Sequence, residues 1–216
     1  MTQNPLIHVP YQSGNAFVLP VRGKATHEDV MRAIDNDNLL RPTSAQTLAL
    51  IRLALQNPTD EALGKVADII ENGYFWTSTE NLFVPDGIFV YDNLDGKVTR
   101  ERADLSKRLA ASDPSVRFVP YGFKIGNQAL PEFLSNPYVI AQFGEDSLGT
   151  LEEVIRGPGK DNPILATFNK RGNWDYDEEQ GHTIIAFKWG QEGFTLHSDP
   201  LTHRAKYGQS LGIRKE

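Results

Sequence analysis

At 216 residues, with 39% hydrophobic and 23% charged side chains, the chain can bury a sizeable core and has neither a disordered nor a membrane-type composition. A formal charge of -6 disfavours nucleic-acid binding, which depends on neutralising phosphates, and the lack of cysteine removes disulfides, thiolate metal ligands and thiol nucleophiles. No stretch approaches the roughly 20 apolar residues that a bilayer requires, and the N-terminus lacks the basic-then-apolar order of a signal peptide, so no membrane association and a cytoplasmic location are expected.

Residues 16–21, AFVLPV, read as a short edge strand, because Pro20 removes a ladder donor. Thr26, with Asp29 three residues on, is placed to cap a helix over 27–35 that carries Val30 and Ile34 on one side. In RPTSAQTLALIRLALQNP, Thr43 and Gln46 have capping-box spacing ahead of a helix over 44–56, with Leu48, Ile51 and Leu55 on one face. Asn57 and Pro58 end that helix and open the next, expected over 58–72 with Leu63, Val66 and Ile70 inward and a left-handed exit at Gly73. So short a connection predicts an antiparallel pair.

A ring-rich stretch follows, with Tyr74, Phe75 and Trp76 ahead of the hydroxyl-rich TSTEN, then Phe83, Phe89 and Tyr91. Val84-Pro85-Asp86-Gly87 suits a three-residue hairpin loop with a bulge, Pro85 fixing φ and Gly87 supplying a left-handed residue. That register sets Val84 against Ile88, Phe83 against Phe89, Leu82 against Val90 and Asn81 against Tyr91, with one aliphatic face and one aromatic. Two apolar faces predict a central hairpin over 82–91 covered on both sides. In the alternative, the aromatic face is open as a binding surface, and Tyr74 and Trp76 are the rings that touch a ligand.

A helix is expected over 99–111 with Leu105 and Leu109 inward; Arg100, Arg102, Lys107 and Arg108 interleave there with Glu101 and Asp104, as on a solvated face. SVRFVPYGF alternates like a strand. Asn136-Pro137 opens a helix over 137–143, and Thr150 and Glu153 have capping-box spacing in another over 147–156, ended by Gly157-Pro158-Gly159. PILATFN reads as a strand, and HTIIAFKWG with GFTLHSD as a hairpin over 183–197. Residues 200–216 are polar and mildly basic and read as a mobile tail, or as a strap to a neighbouring subunit. Mixed helices and hairpins without a linker predict one α+β domain over 1–216, built on a largely antiparallel sheet covered by helices.

Three groups of residues carry candidate chemistry. His182, His197, Asp199 and His203 bring imidazoles and a carboxylate to the C-terminal hairpin, where they allow a divalent metal or a base with its orienting acid, catalytic candidates being His182, His197 and Asp199. Their spacing matches no specific zinc signature. In LRPTSAQT, helix-start N–H groups together with Arg41, Thr43 and Ser44 suit an anion. GFKIGNQ sets Lys124 between two glycines, without the spacing of a phosphate loop. DYDEEQG lacks the glycine of an EF-hand and reads as a solvated acidic loop, and no G-x-S-x-G elbow is present.

The reading that follows is a binding or protein-interaction domain that recognises a protein partner or a small anionic ligand through Arg41, Thr43, Ser44, Tyr74, Trp76 and Lys124, with no cofactor. The alternative is a metal-dependent hydrolase using the C-terminal His/Asp cluster. Nucleic-acid binding through the basic helix stands third, against the net charge.

Overall fold

The computed structural model describes residues 6–9, 15–98, 101–157, 163–167, 181–190, 193–200 and 208–215. Local signals decide most of the helices. Thr26 caps α1 (His27–Asn36), its hydroxyl accepting from the Asp29 N–H, and Thr43 and Gln46 complete a reciprocal capping box on α2 (Ser44–Gln56). α3 (Glu61–Asn72) begins at Glu61 and not at Pro58. Asp60 accepts from the N–H groups of Ala62 and Leu63, while the Asn57 amide turns back to the Leu53 carbonyl and closes α2 instead. Gly73 leaves α3 in extended rather than left-handed backbone.

α4 (Arg102–Ala110) follows without a side-chain cap, then α5 (Leu130–Leu134), a single turn that the apolar pattern does not announce. α6 (Pro137–Phe143) starts as Asn136-Pro137 predicts. α7 (Leu148–Arg156) is entered from a 3-10 turn over Glu145–Ser147, so Thr150 lies inside the helix and makes no capping box with Glu153. Among the described residues no helix is long and apolar enough to cross a membrane.

The fold is α+β, but its sheet is mixed, which corrects the expectation of a largely antiparallel one. The strands are β1 (Leu6–His8), β2 (Asn15–Ala25), β3 (Tyr74–Val84), β4 (Gly87–Asp92) and β5 (Val116–Pro120) in the first part of the chain. β6 (Gly126–Asn127), β7 (Ile164–Thr167), β8 (Gly181–Gly190), β9 (Gly193–Pro200) and β10 (Gly208–Lys215) complete it. They run in the order β1-β2-β10-β3-β8-β9-β7-β6, with β4 added along the second half of β3 and β5 paired to the outer side of β4. β10 pairs in parallel with β3, and β7 with β9. Both parallel pairs join strands far apart in sequence, which hairpin signals do not reach.

The segment read as a tail thus supplies β10, inserted between β2 and β3, and β2 is an interior strand rather than an edge. Its proline is tolerated because Ser210 pairs Arg22 while Gly212 pairs Val18. The extra β2 residues between those pairs form a bulge around Pro20, where no ladder donor is needed.

The β8–β9 hairpin forms as predicted, closing at Gly190 and Gly193. The β3–β4 hairpin forms in a register one residue away from the expected one. Val84 pairs Gly87, Phe83 pairs Ile88, Leu82 pairs Phe89 and Glu80 pairs Tyr91, around a two-residue turn at Pro85-Asp86. Each face therefore mixes aromatic and aliphatic side chains. Gly87 is not left-handed; it is small because a Cβ there would overlap the Val119 carbonyl oxygen and sit 2.6 Å from the Phe118 ring. Gly87→Ala is accordingly expected to cost about 2 kcal/mol by overpacking, read as a lower urea midpoint; an unchanged midpoint would show that β5 gives way freely.

The hairpin is covered on both sides, as its two apolar faces require. Phe83, Ile88 and Val90 join the main core under α2, α3, α5, α6 and α7. Leu82, Val84, Phe89 and Tyr91 pack with Leu105 of α4. α1 covers a third cluster around Trp76 and Ala186 through Val30, Met31 and Ile34. The sheet thus lies between one large helical layer and a sparser one made by α1 and α4.

Candidate functional site

β3 pairs with β10 only at Tyr74 and Phe75 and with β4 only from Thr79 onward, which leaves a fork in the sheet. Residues 39–43 fill that fork. Leu40 exchanges two backbone hydrogen bonds of 2.8 Å with Ile213, the Arg41 N–H donates to the Leu94 carbonyl at 3.1 Å, and the Pro42 carbonyl accepts from Ser78 at 2.7 Å. α2 therefore starts against β3. The Ser44 N–H donates to Thr79 Oγ1 at 2.9 Å, and the Ser44 hydroxyl lies 3.3 Å from that of Thr77. Thr43 and Ser44 serve this joint, and the Thr79 hydroxyl satisfies a helix-start N–H that water or an anion would otherwise take.

Arg41 projects from the far side of the joint. Its Nε and Nη2 donate to the two carboxylate oxygens of Asp35 at 2.9 and 2.5 Å, in a fork geometry that fixes the guanidinium plane. Among the described residues nothing engages Nη1. Gly96, left-handed at φ 72°, lies so close that a Cβ would overlap Nη2. Its loop is held by Val98 donating to Asn93 Oδ1 and Lys97 to Asp95 Oδ1.

Between this loop and α1 lies a notch of about 460 Å³. One wall is the α1 face bearing His27, Glu28, Met31, Arg32 and Asp35; the other carries Gly96 and Val98. Arg41 is the least exposed of the charged groups at 13%, whereas Glu28 stands at the rim at 81%. Arg32 is shared between two carboxylates, 2.6 Å from Glu28 and 3.2 Å from Asp29. His27 is buried, its Nε2 bonded to the Thr77 carbonyl at 2.9 Å, which places the ring proton on Nε2 if the imidazole is neutral.

The strand register gathers Tyr74, Trp76 and His197 on one face. Trp76 pairs Ala186, which pairs His197 on the next strand. Tyr74 stacks on Trp76 at 6.1 Å between centroids and meets the His197 ring edge-on at 5.5 Å, while Lys188 Nζ sits 5.1 Å from the Tyr74 centroid. Trp76 is 1% exposed, its Nε1 donating to the Ala25 carbonyl at 3.3 Å, so it is part of the interior.

Burial, aided by the Lys188 charge, holds the His197 imidazole down to about 4, and its buried Nε2 has no hydrogen-bond partner among the described residues. His182 pairs Leu82 and Asp199 pairs Ile184; the side chains of both, and all of His203, lie outside the described residues. Along β8 the backbone of His182 is four positions from Ala186, the partner of His197, or ~14 Å of extended chain. Among the described residues no three His, Asp or Glu groups come together as metal ligands.

Lys124 pairs with Glu132 at 2.8 Å on the surface, and its carbonyl accepts from Gln128 and Asn136, which ties the GFKIGNQ loop to the start of α6. On α4, Arg102 pairs Asp86 and Arg108 pairs Asp113, the mixed-charge surface expected there; Arg100 and the acidic loop at 175–180 lie outside the described residues. Sequence reasoning missed two interior polar groups. Glu80, fully buried, accepts from the Tyr91 hydroxyl at 2.9 Å and the Asn93 amide at 3.0 Å. Asn81 donates to Tyr138 and Ser198 and accepts from Gln142 at 2.7 Å, and burial pushes the Tyr138 phenol up beyond its usual range. Their only sequence signal is polar residues standing inside an apolar strand.

No protein-family model matches the chain, and no curated protein or solved structure is significantly similar to it.

Proposed function

We propose that this protein is a small-ligand binding domain whose ligand sets an anionic group against Arg41 in the notch between α1 and the 93–98 loop. The observation that carries this reading is the guanidinium itself: it is fixed in plane by Asp35 and backed by Gly96, and among the described residues its Nη1 edge is left to a ligand. Preorganisation of this kind lowers the ordering cost of binding. The volume of about 460 Å³ lies within the ordinary span of ligand pockets. A fixed planar donor favours a carboxylate or phosphate oxygen over a neutral carbonyl.

The test is a titration of isotope-labelled protein with hexanedioate and with 6-aminohexanoate, followed by nuclear magnetic resonance. Saturable shifts are expected at Gly96, Val98 and the Arg41 side chain for at least one of the two, and their loss in Arg41→Met, with Lys65→Met, at an exposed position of α3 outside the notch, as the folded control. Absence of shifts with both compounds, or an equal response in Arg41→Met, removes the reading.

A further inference from the structure

The notch is electrically uneven along α1. At its base the acid, Asp35, is fully engaged by Arg41, and among the described residues the Nη1 edge is left to meet a negative group. At its rim the balance is reversed. Arg32 is divided between Glu28 and Asp29, so two carboxylates share one guanidinium and a negative charge is left over. Glu28 and Asp35 stand seven residues apart on the helix, two turns or ~10 Å. Between them on the same wall stand Met31, 1% exposed, and Arg32, whose guanidinium is turned to Glu28 and Asp29.

A ligand lying along α1 therefore meets the outer guanidinium edge of Arg41 at one end and the surplus carboxylate beside Glu28 at the other. A dianion of that length is attracted at Arg41 and repelled at Glu28, and a diamine meets the reverse. We infer that the ligand class of this notch is a linear zwitterion, an aliphatic amino acid whose carboxylate lies against Arg41 and whose ammonium lies against Glu28. This inference rests on the binding reading above and narrows it to one charge pattern.

A matched series of six-carbon probes separates the two claims: hexanedioate, 6-aminohexanoate and 1,6-diaminohexane, titrated at low ionic strength. 6-Aminohexanoate is expected to bind at least about fivefold more tightly than either of the others, since a like charge at one end costs affinity that an opposite charge restores. Glu28→Gln, at an exposed position, should lower the affinity for 6-aminohexanoate and raise that for hexanedioate until the two are comparable. Equal or tighter binding of hexanedioate to the unaltered protein overturns the zwitterion inference while leaving Arg41 as an anion anchor. An undiminished preference in Glu28→Gln overturns it equally, because the ammonium is then recognised elsewhere. Failure of all three probes to shift the notch resonances removes both claims.

Discussion

Gly208→Ala is expected to destabilise the protein by about 3 kcal/mol, at the upper end of what overpacking costs. Gly208 opens β10 beside Tyr74 of β3, and a Cβ there would overlap the Nε1 and Cε2 atoms of the Trp76 indole. The indole has no free direction in which to retreat. It is stacked on Tyr74, meets the His27 ring edge-on at 5.9 Å and donates to the Ala25 carbonyl, so a shift large enough to admit a methyl group breaks all three contacts. The alternative response, separation of β10 from β3, removes a strand from the middle of the sheet. Urea unfolding of Gly208→Ala, Trp76→Leu and the double variant distinguishes this mechanism from a backbone effect. Trp76→Leu vacates the space that the new methyl group needs, so the double variant should be more stable than the sum of the single losses by at least about 1 kcal/mol. Strict additivity would mean that the glycine is required for its own backbone conformation and not for the indole beneath it.

That contact also marks where the sequence ceases to be legible. Capping at Thr26, Thr43 and Asn136 and the closing pair Gly190/Gly193 are local, and the residues that decide them lie within a few positions. β10 is different. Only Leu211 and Ile213 of its side chains enter the main core, and its other face is Gly208, Ser210 and Gly212, the two glycines standing where Trp76 and Leu39 occupy the side-chain volume. A strand whose burial is provided by its neighbours' bulk has no hydrophobic pattern of its own to read.

The hairpin register fails for a related reason. Gly87 is small to admit β5, a strand some thirty residues further on, and local turn rules cannot distinguish that from a left-handed glycine. In the notch, the sequence marks Arg41 only as a cation beside a helix start. Its partners Asp35 and Gly96 come from the preceding helix and from the loop after β4, and only the fork in the sheet, filled by residues 39–43, brings the three together.

The other large effect expected is a loss of stability in mild acid that depends on His197. In the folded protein the imidazole is held at about 4, against an ordinary value near 6.5, by burial and by the Lys188 ammonium. Between those two values the unfolded chain carries a proton that the folded chain refuses, so stability rises with pH across the window. The His197 contribution is complete above pH ~6.5, falls as the pH drops toward 4 and levels off below that. One proton corresponds to at most about 1.4 kcal/mol per pH unit, and with partial solvent access to the ring the total is roughly 2 kcal/mol.

The groups facing the ring in the described residues are Tyr74, edge-on from β3, and Lys188 from β8, and neither supplies a carboxylate that would welcome the proton. His197→Phe keeps the ring contact with Tyr74 and removes the titration. Its urea stability should therefore follow the unaltered protein above pH 7 apart from a constant offset, and should fall less steeply between pH 6.5 and 4.5, by up to one proton in the linkage slope. Parallel curves across that window would show that the folded protein accepts the proton at an ordinary pKa, and that burial does not keep the imidazole neutral.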